Sequence, residues 1–165
     1  GLNQDLPDTD VFKRMVKKFV NEDLPPAIKD VETLLNRNRI FVERTRGVGV
    51  ISPEEAVAWS LTGPMARASG VKRDLRKEDP YLCFVDNWDG EGSHPPEFTV
   101  PVMETGDVYA RYLVRLEEMK QSMHIIRQLI HILPGGPVNV SPKAKETLPP
   151  KGAVYSRIDG LIHHF

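Results

Sequence analysis

A single stripe of apolar residues constrains the fold of this chain more than any other feature. Between residues 107 and 133 the apolar side chains recur every three or four residues, close to the α-helical period of about 3.6. Thr105 and Asp107 can cap this helix, and Pro134-Gly135 ends it. The stripe comprises Val108, Tyr112, Leu116, Met119, Met123, Ile126, Ile130 and Leu133. The pattern predicts a mostly α fold, a helical bundle with one long central helix.

The composition restricts the classes of function. The 165 residues suffice for one domain with its own core. Because 22 basic residues nearly balance 23 acidic ones, the chain has no basic excess for binding nucleic acid. One cysteine, Cys83, excludes an internal disulfide and a multi-cysteine metal or iron–sulfur site within these residues. No apolar run approaches the ~20 residues that span a bilayer, so we expect any membrane association to come through partners.

Shorter elements are predicted on both sides of the long helix. An amphipathic helix over residues 11–20, a turn at 21–26 and a second helix suggest an antiparallel hairpin. Residues 40–42 and 48–51 are short extended candidates flanking a charged turn. A helix should start at Ser52 with a capping box and end near Thr62, followed by a short turn that Gly70 caps. Residues 83–100 are predicted to be a surface loop, and a last helix runs from 153 or 154 to 165, within one helical domain over 1–165.

Three charged groups could form interaction surfaces. The basic face of the first helix is interpreted as solvated, with docking of an acidic partner as the alternative. The sequence Asp74-Leu75-Arg76-Lys77, behind a glycine-punctuated segment, is either an interaction surface or an ordinary loop. On the long helix, a strip beside the apolar stripe predicts ion pairs within the helix, either exposed or part of a partly buried network that positions a neighbouring element. That strip comprises Asp107, Arg111, Arg115, Glu118 and Ser122.

Motifs for catalysis or metal binding are not found in the sequence. The five histidines do not have the spacing of zinc ligands, and there is no phosphate-binding glycine loop or nucleophile elbow. We therefore predict no catalytic, cofactor-binding or metal-ligating residue. Physical reasoning from the residues alone leads to a helical domain with one interaction surface.

Several strings of residues occur in a specific order along the whole chain. They are Asn38-Arg39-Ile40-Phe41, Gly47-Val48-Gly49-Val50, Thr62-Gly63-Pro64-Met65-Ala66-Arg67-Ala68-Ser69-Gly70, Asp74-Leu75-Arg76-Lys77, Gly106-Asp107-Val108-Tyr109, Arg111-Tyr112-Leu113-Val114-Arg115 and Leu161-Ile162-His163-His164-Phe165. The ordered set resembles the large, quinone-proximal subunit of respiratory complex I, the proton-pumping NADH:quinone oxidoreductase.

The resemblance implies a fold and a setting. This family is similar in helical architecture to the large subunit of nickel–iron hydrogenases, but its nickel site is lost and the space helps to form a quinone cavity. Electrons reach that cavity from NADH through FMN and iron–sulfur centres in neighbouring subunits, and a small iron–sulfur subunit carries the terminal cluster. Quinone reduction drives proton translocation. The family is peripheral, on the cytoplasmic side of the bacterial inner membrane.

The resemblance also implies what this chain contributes. We expect residues 1–165 to be a central fragment, because the family's quinone-headgroup tyrosine and histidine lie upstream and its C-terminal segment lies downstream. No cofactor is expected on this fragment, which should be inactive alone. The residues expected to serve subunit interfaces or to support the cavity are Arg67, Ser69, Gly70, Asp74, Arg76, Lys77, Asp107, Tyr109, Arg111, Arg115 and Glu118.

Two alternatives stay open at this point. One is the large subunit of a membrane-bound nickel–iron hydrogenase-related complex, whose nickel-binding cysteine pairs would lie outside this chain. The other is a non-enzymatic helical scaffold, which describes the isolated fragment. The cysteine pairs in the full-length gene would discriminate the first alternative, and an assay of NADH or quinone turnover would discriminate the second.

Overall fold

A computed structural model describes residues 9–88, 91–133, 152 and 153. Across these residues the chain is helical and contains no β-strand. The α-helices are α1 (Thr9–Lys18), α2 (Leu24–Asn36), α3 (Arg39–Thr45), α4 (Pro53–Ala58), α5 (Gly63–Ala68), α6 (Leu75–Glu78) and α7 (Val108–Ile132), with a π-helical turn at Phe19–Asp23 and a 3-10 turn at Leu82–Phe84. The predicted mostly α class and long central helix are confirmed. The helix predicted for residues 153–165 lies outside the described residues.

The predicted hairpin between the first two helices is wrong. The π-helical turn joins α1 directly to α2, and the amide of Leu24 donates to the carbonyl of Phe19, five residues back. Pro25 and Pro26 follow this wide turn. Proline lacks an amide hydrogen, and its ring clashes with the carbonyl four residues back in a regular α-helix. A π turn displaces those carbonyls, so the helical run continues through the prolines instead of reversing.

An arginine of α7 holds the wide turn in place. The guanidinium of Arg127 donates to the carbonyl of Val20 at 2.7 Å and to the side-chain oxygen of Asn21 at 2.8 Å. Val20 itself is fully buried. The contact therefore fixes the bent helical run against the long central helix.

Residues 40–42, predicted as extended, lie inside helix α3. The side chain of Asn38 caps this helix by accepting a hydrogen bond from the amide of Phe41 at 3.1 Å. The ring of Phe41 then packs edge-on against Tyr112 of α7, with centroids 5.2 Å apart. The N-cap and this tertiary contact outweigh the β propensity of the apolar triplet.

The start of α4 and the C-cap after α5 are confirmed. Ser52 and Glu55 form a reciprocal capping box, with hydrogen bonds of 3.2 and 2.9 Å. The helix ends at Ala58, earlier than the predicted Thr62. Gly70 has a φ of +85°, and the amide of the next residue bonds back to the carbonyl of Ala66.

Helix α7 packs on two sides, which the predicted single stripe did not anticipate. One core cluster joins Leu116 and Met123 to Ile28 of α2. A second cluster joins Ala110 and Val114 to Ala68 of α5. Small side chains in the second cluster let α5 approach closely, and the same line of α7 continues to Glu118. Met119 of the predicted stripe is 39% exposed.

Candidate functional site

A buried arginine of α5 faces a buried glutamate of α7. Arg67 lies at 3% exposure, and its Nε donates to an oxygen of Glu118 at 2.8 Å, with Nη2 2.6 Å from the same oxygen. The two residues are 51 positions apart. A third bond, from Nη1 of Arg67 to the carbonyl of Arg73 at 2.9 Å, ties the guanidinium to the loop after α5.

A second ion pair continues from the first. Asp74 is 2% exposed and lies 3.7 Å from Nη1 of Arg67. The guanidinium of Arg76 binds Asp74 in a bidentate manner, with bonds of 2.9 and 2.6 Å. We call Glu118, Arg67, Asp74 and Arg76 the ionic chain. Its two positive and two negative groups alternate, so the buried charges compensate one another.

The outer end of the ionic chain rests on an aromatic ring. The guanidinium carbon of Arg76 lies 4.5 Å from the ring centroid of Phe98, and Nζ of Lys77 lies 4.2 Å from it. Both distances are typical of cation–π contacts. Clefts of about 660 and 410 Å³ flank this ring, and Lys77 and Phe98 line both. The ionic chain therefore links α7, α5, α6 and the segment before α7.

Electrostatics favour the ionised form of Asp74. Burial opposes ionisation, but the hydrogen bonds and positive charge of Arg76, together with the charge of Arg67, hold the pKa of Asp74 below its ordinary value. A carboxylate with a lowered pKa binds its arginines over the whole neutral pH range. The chemistry of this cluster is structural positioning, because both carboxyl groups are occupied by guanidinium groups.

A second cluster surrounds the start of α7. The carboxylate of Asp107 accepts hydrogen bonds from the amides of Ala110 at 2.7 Å and Gly47 at 2.8 Å. These bonds outweigh the effect of burial and lower the pKa of Asp107. Arg111 donates to the carbonyls of Gly49 and Gly106, the latter at 2.8 Å. Both predicted residues therefore bind the glycine-rich loop after α3, and the positive charge of Arg111 also contributes to the lowered pKa of Asp107.

Other predicted residues lie nearby with different surroundings. Ser69 is fully buried, and its hydroxyl donates to the carbonyl of Met65 at 3.3 Å. The Tyr109 hydroxyl contacts the side-chain oxygen of Asn36 at 3.4 Å, and the guanidinium of Arg46 lies 5.0 Å from its ring centroid. Arg115 is exposed, and the partner of Glu118 is Arg67 rather than Arg115. The predicted i,i+3 pair is thus replaced by a tertiary one.

Metal clusters and membrane-spanning helices are both absent from the described residues. No group of three or more histidine, cysteine, aspartate or glutamate side chains in this part of the chain could hold a metal ion. Among the helices at positions 9–88 and 91–133, none has both the length and the apolar character needed to cross a bilayer.

Comparison with known proteins decides the family. The family model described as the 49 Kd subunit of respiratory-chain NADH dehydrogenase matches residues 1–165, the whole chain. The chain belongs to this family. The resemblance of the ordered strings to the large subunit of complex I is confirmed.

Named relatives of the 49 kDa-subunit family give the degree of similarity. An NADH-quinone oxidoreductase subunit of Opitutus terrae is 46% identical over all of this chain, which covers 36% of that relative. The corresponding NADH-quinone oxidoreductase subunit of Myxococcus xanthus is 45% identical, again over the whole chain and 37% of the relative. The chain thus spans little more than a third of the length of these relatives.

A solved structure supports the fold. A chain in the membrane-bound sulfane sulfur reductase, an archaeal respiratory membrane complex, is 38% identical with a TM-score of 0.67. The match covers 81% of this chain and 33% of that chain. This likeness is consistent with the predicted resemblance to the nickel–iron hydrogenase large-subunit fold.

Sequence reasoning selected all four members of the ionic chain but not their pairing. The strip on α7 contained Glu118, and the glycine-punctuated segment contained Arg67, yet neither local pattern joins them. One signal in the sequence could have indicated this pairing. Ala110, Val114 and Glu118 are spaced four residues apart, so they lie on one face of α7, and the small side chains on that face let α5 approach. The Gly47 contact with Asp107 had no local signal.

Proposed function

We propose that this chain is part of the quinone module of a proton-translocating NADH:quinone oxidoreductase, in the subunit that helps to form the quinone cavity. The observation that carries the proposal is the family match over the entire chain, with 46% identity to an NADH-quinone oxidoreductase subunit over all 165 residues. In this setting quinone is the substrate of the parent complex. Electrons come from NADH through FMN and iron–sulfur centres in neighbouring subunits.

The proposed contribution of this chain is a rigid helical wall. The ionic chain supports it, because four buried or half-buried charged groups fix α5 and α6 against α7 at defined distances. A cavity that positions quinone needs walls held to a fraction of an ångström by surrounding interactions. We assign this supporting role to Arg67, Asp74, Arg76 and Glu118, and packing against partner subunits to Lys77.

The cluster at the start of α7 has a related proposed role. Asp107 and Arg111 fix the glycine-rich loop after α3 through Gly47 and Gly49, and Ser69 and Gly70 fix the turn after α5. Tyr109 packs at the edge of this region. Arg115, which is exposed on α7, is proposed as an interface residue.

The proposed partners and location follow from the family. The main partner is the small iron–sulfur subunit that carries the terminal cluster, and the membrane is reached through partner subunits. The parent complex would place this chain on the cytoplasmic side of the bacterial inner membrane. The fragment itself is proposed to bind no cofactor and to be inactive when isolated.

Charge reversal at Arg76 in the intact complex tests the supporting role. Arg76→Glu places a further carboxyl group beside the buried Asp74, so we expect impaired assembly or a reduced rate of quinone reduction. Assembly is measured by native electrophoresis. Quinone reduction is compared with NADH:ferricyanide activity, which reports the flavin end of the complex.

A matched control separates this effect from a change of surface charge. Arg73→Glu makes the same change of charge three residues away, but the Arg73 side chain is 45% exposed and pairs with Glu78 at the surface. The control should assemble and turn over normally. Normal assembly and quinone reduction in Arg76→Glu would contradict the proposed role.

A second candidate function is the large subunit of a membrane-bound hydrogenase-related complex. The solved chain in the archaeal sulfane sulfur reductase complex, at 38% identity, gives this alternative only weak support, because that complex is described as a respiratory membrane complex and not as a hydrogenase. Such a subunit would carry nickel-binding cysteine pairs in the parts of the protein that this chain does not span. Their presence in the full-length gene, with nickel in the purified complex, would establish this alternative over quinone reduction.

A further inference from the structure

The segment over residues 97–103 has the hydrogen-bonding pattern of a β-strand that is paired along one edge. The amide of Glu97 donates to the side chain of Gln128 at 2.8 Å, and the amide of Thr99 donates to Gln121 at 2.9 Å. Both glutamines belong to α7. Amides that point the same way at alternate residues are the signature of an extended strand.

A glutamine side chain acts here as a neighbouring strand would. While its oxygen accepts from the amide of Glu97, the side-chain nitrogen of Gln128 donates to the carbonyl of the same residue at 2.8 Å. Further along, the amide of Met103 donates to the carbonyl of Arg67 at 2.9 Å. Pro101 shares this register, so its missing amide hydrogen falls on the edge that faces the helices.

The backbone donors and acceptors on the opposite edge of this segment form no hydrogen bonds with the described residues. No backbone hydrogen bond to Phe98, Val100 or Val102 is formed within the part of the chain that the structure describes. Their side chains are half-buried, and phenylalanine and valine both favour strands. Three amides and three carbonyls at a spacing of two residues match what an added strand binds.

Charge next to this edge indicates the chemistry of a partner. Nζ of Lys77 lies 4.2 Å from the ring centroid of Phe98, the first residue of the edge. Lys77 lines both clefts that flank the ring, together with the exposed Glu97 in one cleft and Asp86, which lies 3.5 Å from His94, in the other. An acidic side chain would complement this cation in a partly apolar setting. Unpaired strand edges are otherwise blocked in most proteins, because they recruit other chains.

We propose that the edge formed by residues 98–102 binds an extended segment of a neighbouring polypeptide, which adds a strand there and places an acidic side chain next to Lys77. The added strand would bind the three amides of this edge and cover the half-buried valines. This interaction surface rests on the partner-packing role proposed for Lys77 but not on the quinone chemistry, so its failure would leave the supporting role of the ionic chain untouched.

The test titrates the 165-residue chain against a fluorescent peptide, acetyl-Glu-Val-Thr-Val-Thr-Val-amide, by fluorescence anisotropy. We expect saturable binding. Val100→Pro removes the central amide of the edge and should weaken binding by about tenfold or more. Val100→Thr keeps the amide and the β-branched shape, so it should bind like the parent chain. Replacing the glutamate of the peptide by glutamine should weaken its binding to the parent chain, because the charge pair with Lys77 is lost. The same replacement should not weaken binding to the Lys77→Gln variant, which has no charge at that position.

A second arm keeps the proposal testable if Val100→Pro fails to fold. Peptides N-methylated at one or the other set of alternate residues should differ, because only one set of amides faces the edge. Equal binding of both methylated peptides, or no binding of the parent peptide, would overturn the proposal. So would self-association of the chain in sedimentation experiments that Val100→Pro abolishes, because the occupant would then be a second copy.

Discussion

Removing the buried guanidinium of Arg67 should destabilise the chain far more than removing an exposed one. Arg67→Met leaves Glu118, whose side chain is 9% exposed, with an uncompensated charge in the interior. Breaking a buried pair by deleting one partner costs about 3–5 kcal/mol of unfolding free energy. Asp74 retains both bonds from Arg76, so most of this cost comes from Glu118.

A double variant separates the charge effect from lost packing. Arg67→Met combined with Glu118→Leu removes both charges, and apolar pairs of similar volume are commonly as stable as buried ion pairs. We expect the double variant to lie within about 2 kcal/mol of the parent chain, well above the single variant. Urea unfolding followed by circular dichroism and by the fluorescence of Trp59 and Trp88 measures each free energy.

Removing an exposed arginine serves as the control for the buried one. Arg73→Met, in the loop after α5, should change the unfolding free energy by no more than about 0.5 kcal/mol, because its ion pair with Glu78 is exposed to solvent. The reasoning is refuted if Arg67→Met costs less than about 1 kcal/mol. It is equally refuted if the double variant is no more stable than the single one.

Three further predictions concern the start of α7 and acid stability. Gly106→Ala should lower the free energy of unfolding in urea by about 3 kcal/mol or more, because φ is +64° and a Cβ would overlap the carbonyl of Ile51. The control Gly92→Ala, where φ is +90° but the space around a Cβ is open, should lower it by about 1–2 kcal/mol. Asp107→Ala should lower the free energy of unfolding by about 1–2 kcal/mol, because α7 loses its N-cap. Asp107→Asn should lower it by less, because asparagine also caps helices. The pKa values of Asp74 and Asp107 are lowered in the folded state, so each carboxylate stabilises the fold fully above about pH 4 and less as the pH falls further. The free energy of unfolding, measured between about pH 2 and 7, should show this decline. Asp107→Asn should make the decline smaller.

The fold could be predicted where the signal was local. The capping box at Ser52, the left-handed Gly70 and the N-cap at Asp107 are set by neighbouring residues, and all three formed as predicted. Extended structure at residues 40–42 was wrong because the Asn38 cap and a tertiary ring contact outweigh short-range propensity. The hairpin was wrong because a π turn admits two prolines into a helical run.

The sequence predicted which residues belong to the site but not which of them contact each other. Arg67, Asp74 and Arg76 were selected from ordered strings and Glu118 from the charged strip on the long helix, but the bond between Arg67 and Glu118 spans 51 residues. Which arginine meets a glutamate depends on how two helices pack, and the small side chains of Ala68 and Ala110 set that approach. The division into one helical domain with a surface loop at 83–100, and the interface role of Arg115, stay predictions.

The central claim is that the Arg67–Glu118 pair holds a wall of the quinone module. Its most direct test is the ratio of NADH:quinone to NADH:ferricyanide activity in the intact complex carrying Arg67→Met, with and without Glu118→Leu. We expect the single variant to lower the ratio or to prevent assembly, and the double variant to restore assembly and much of the ratio. A single variant that assembles with an unchanged ratio would contradict the claim.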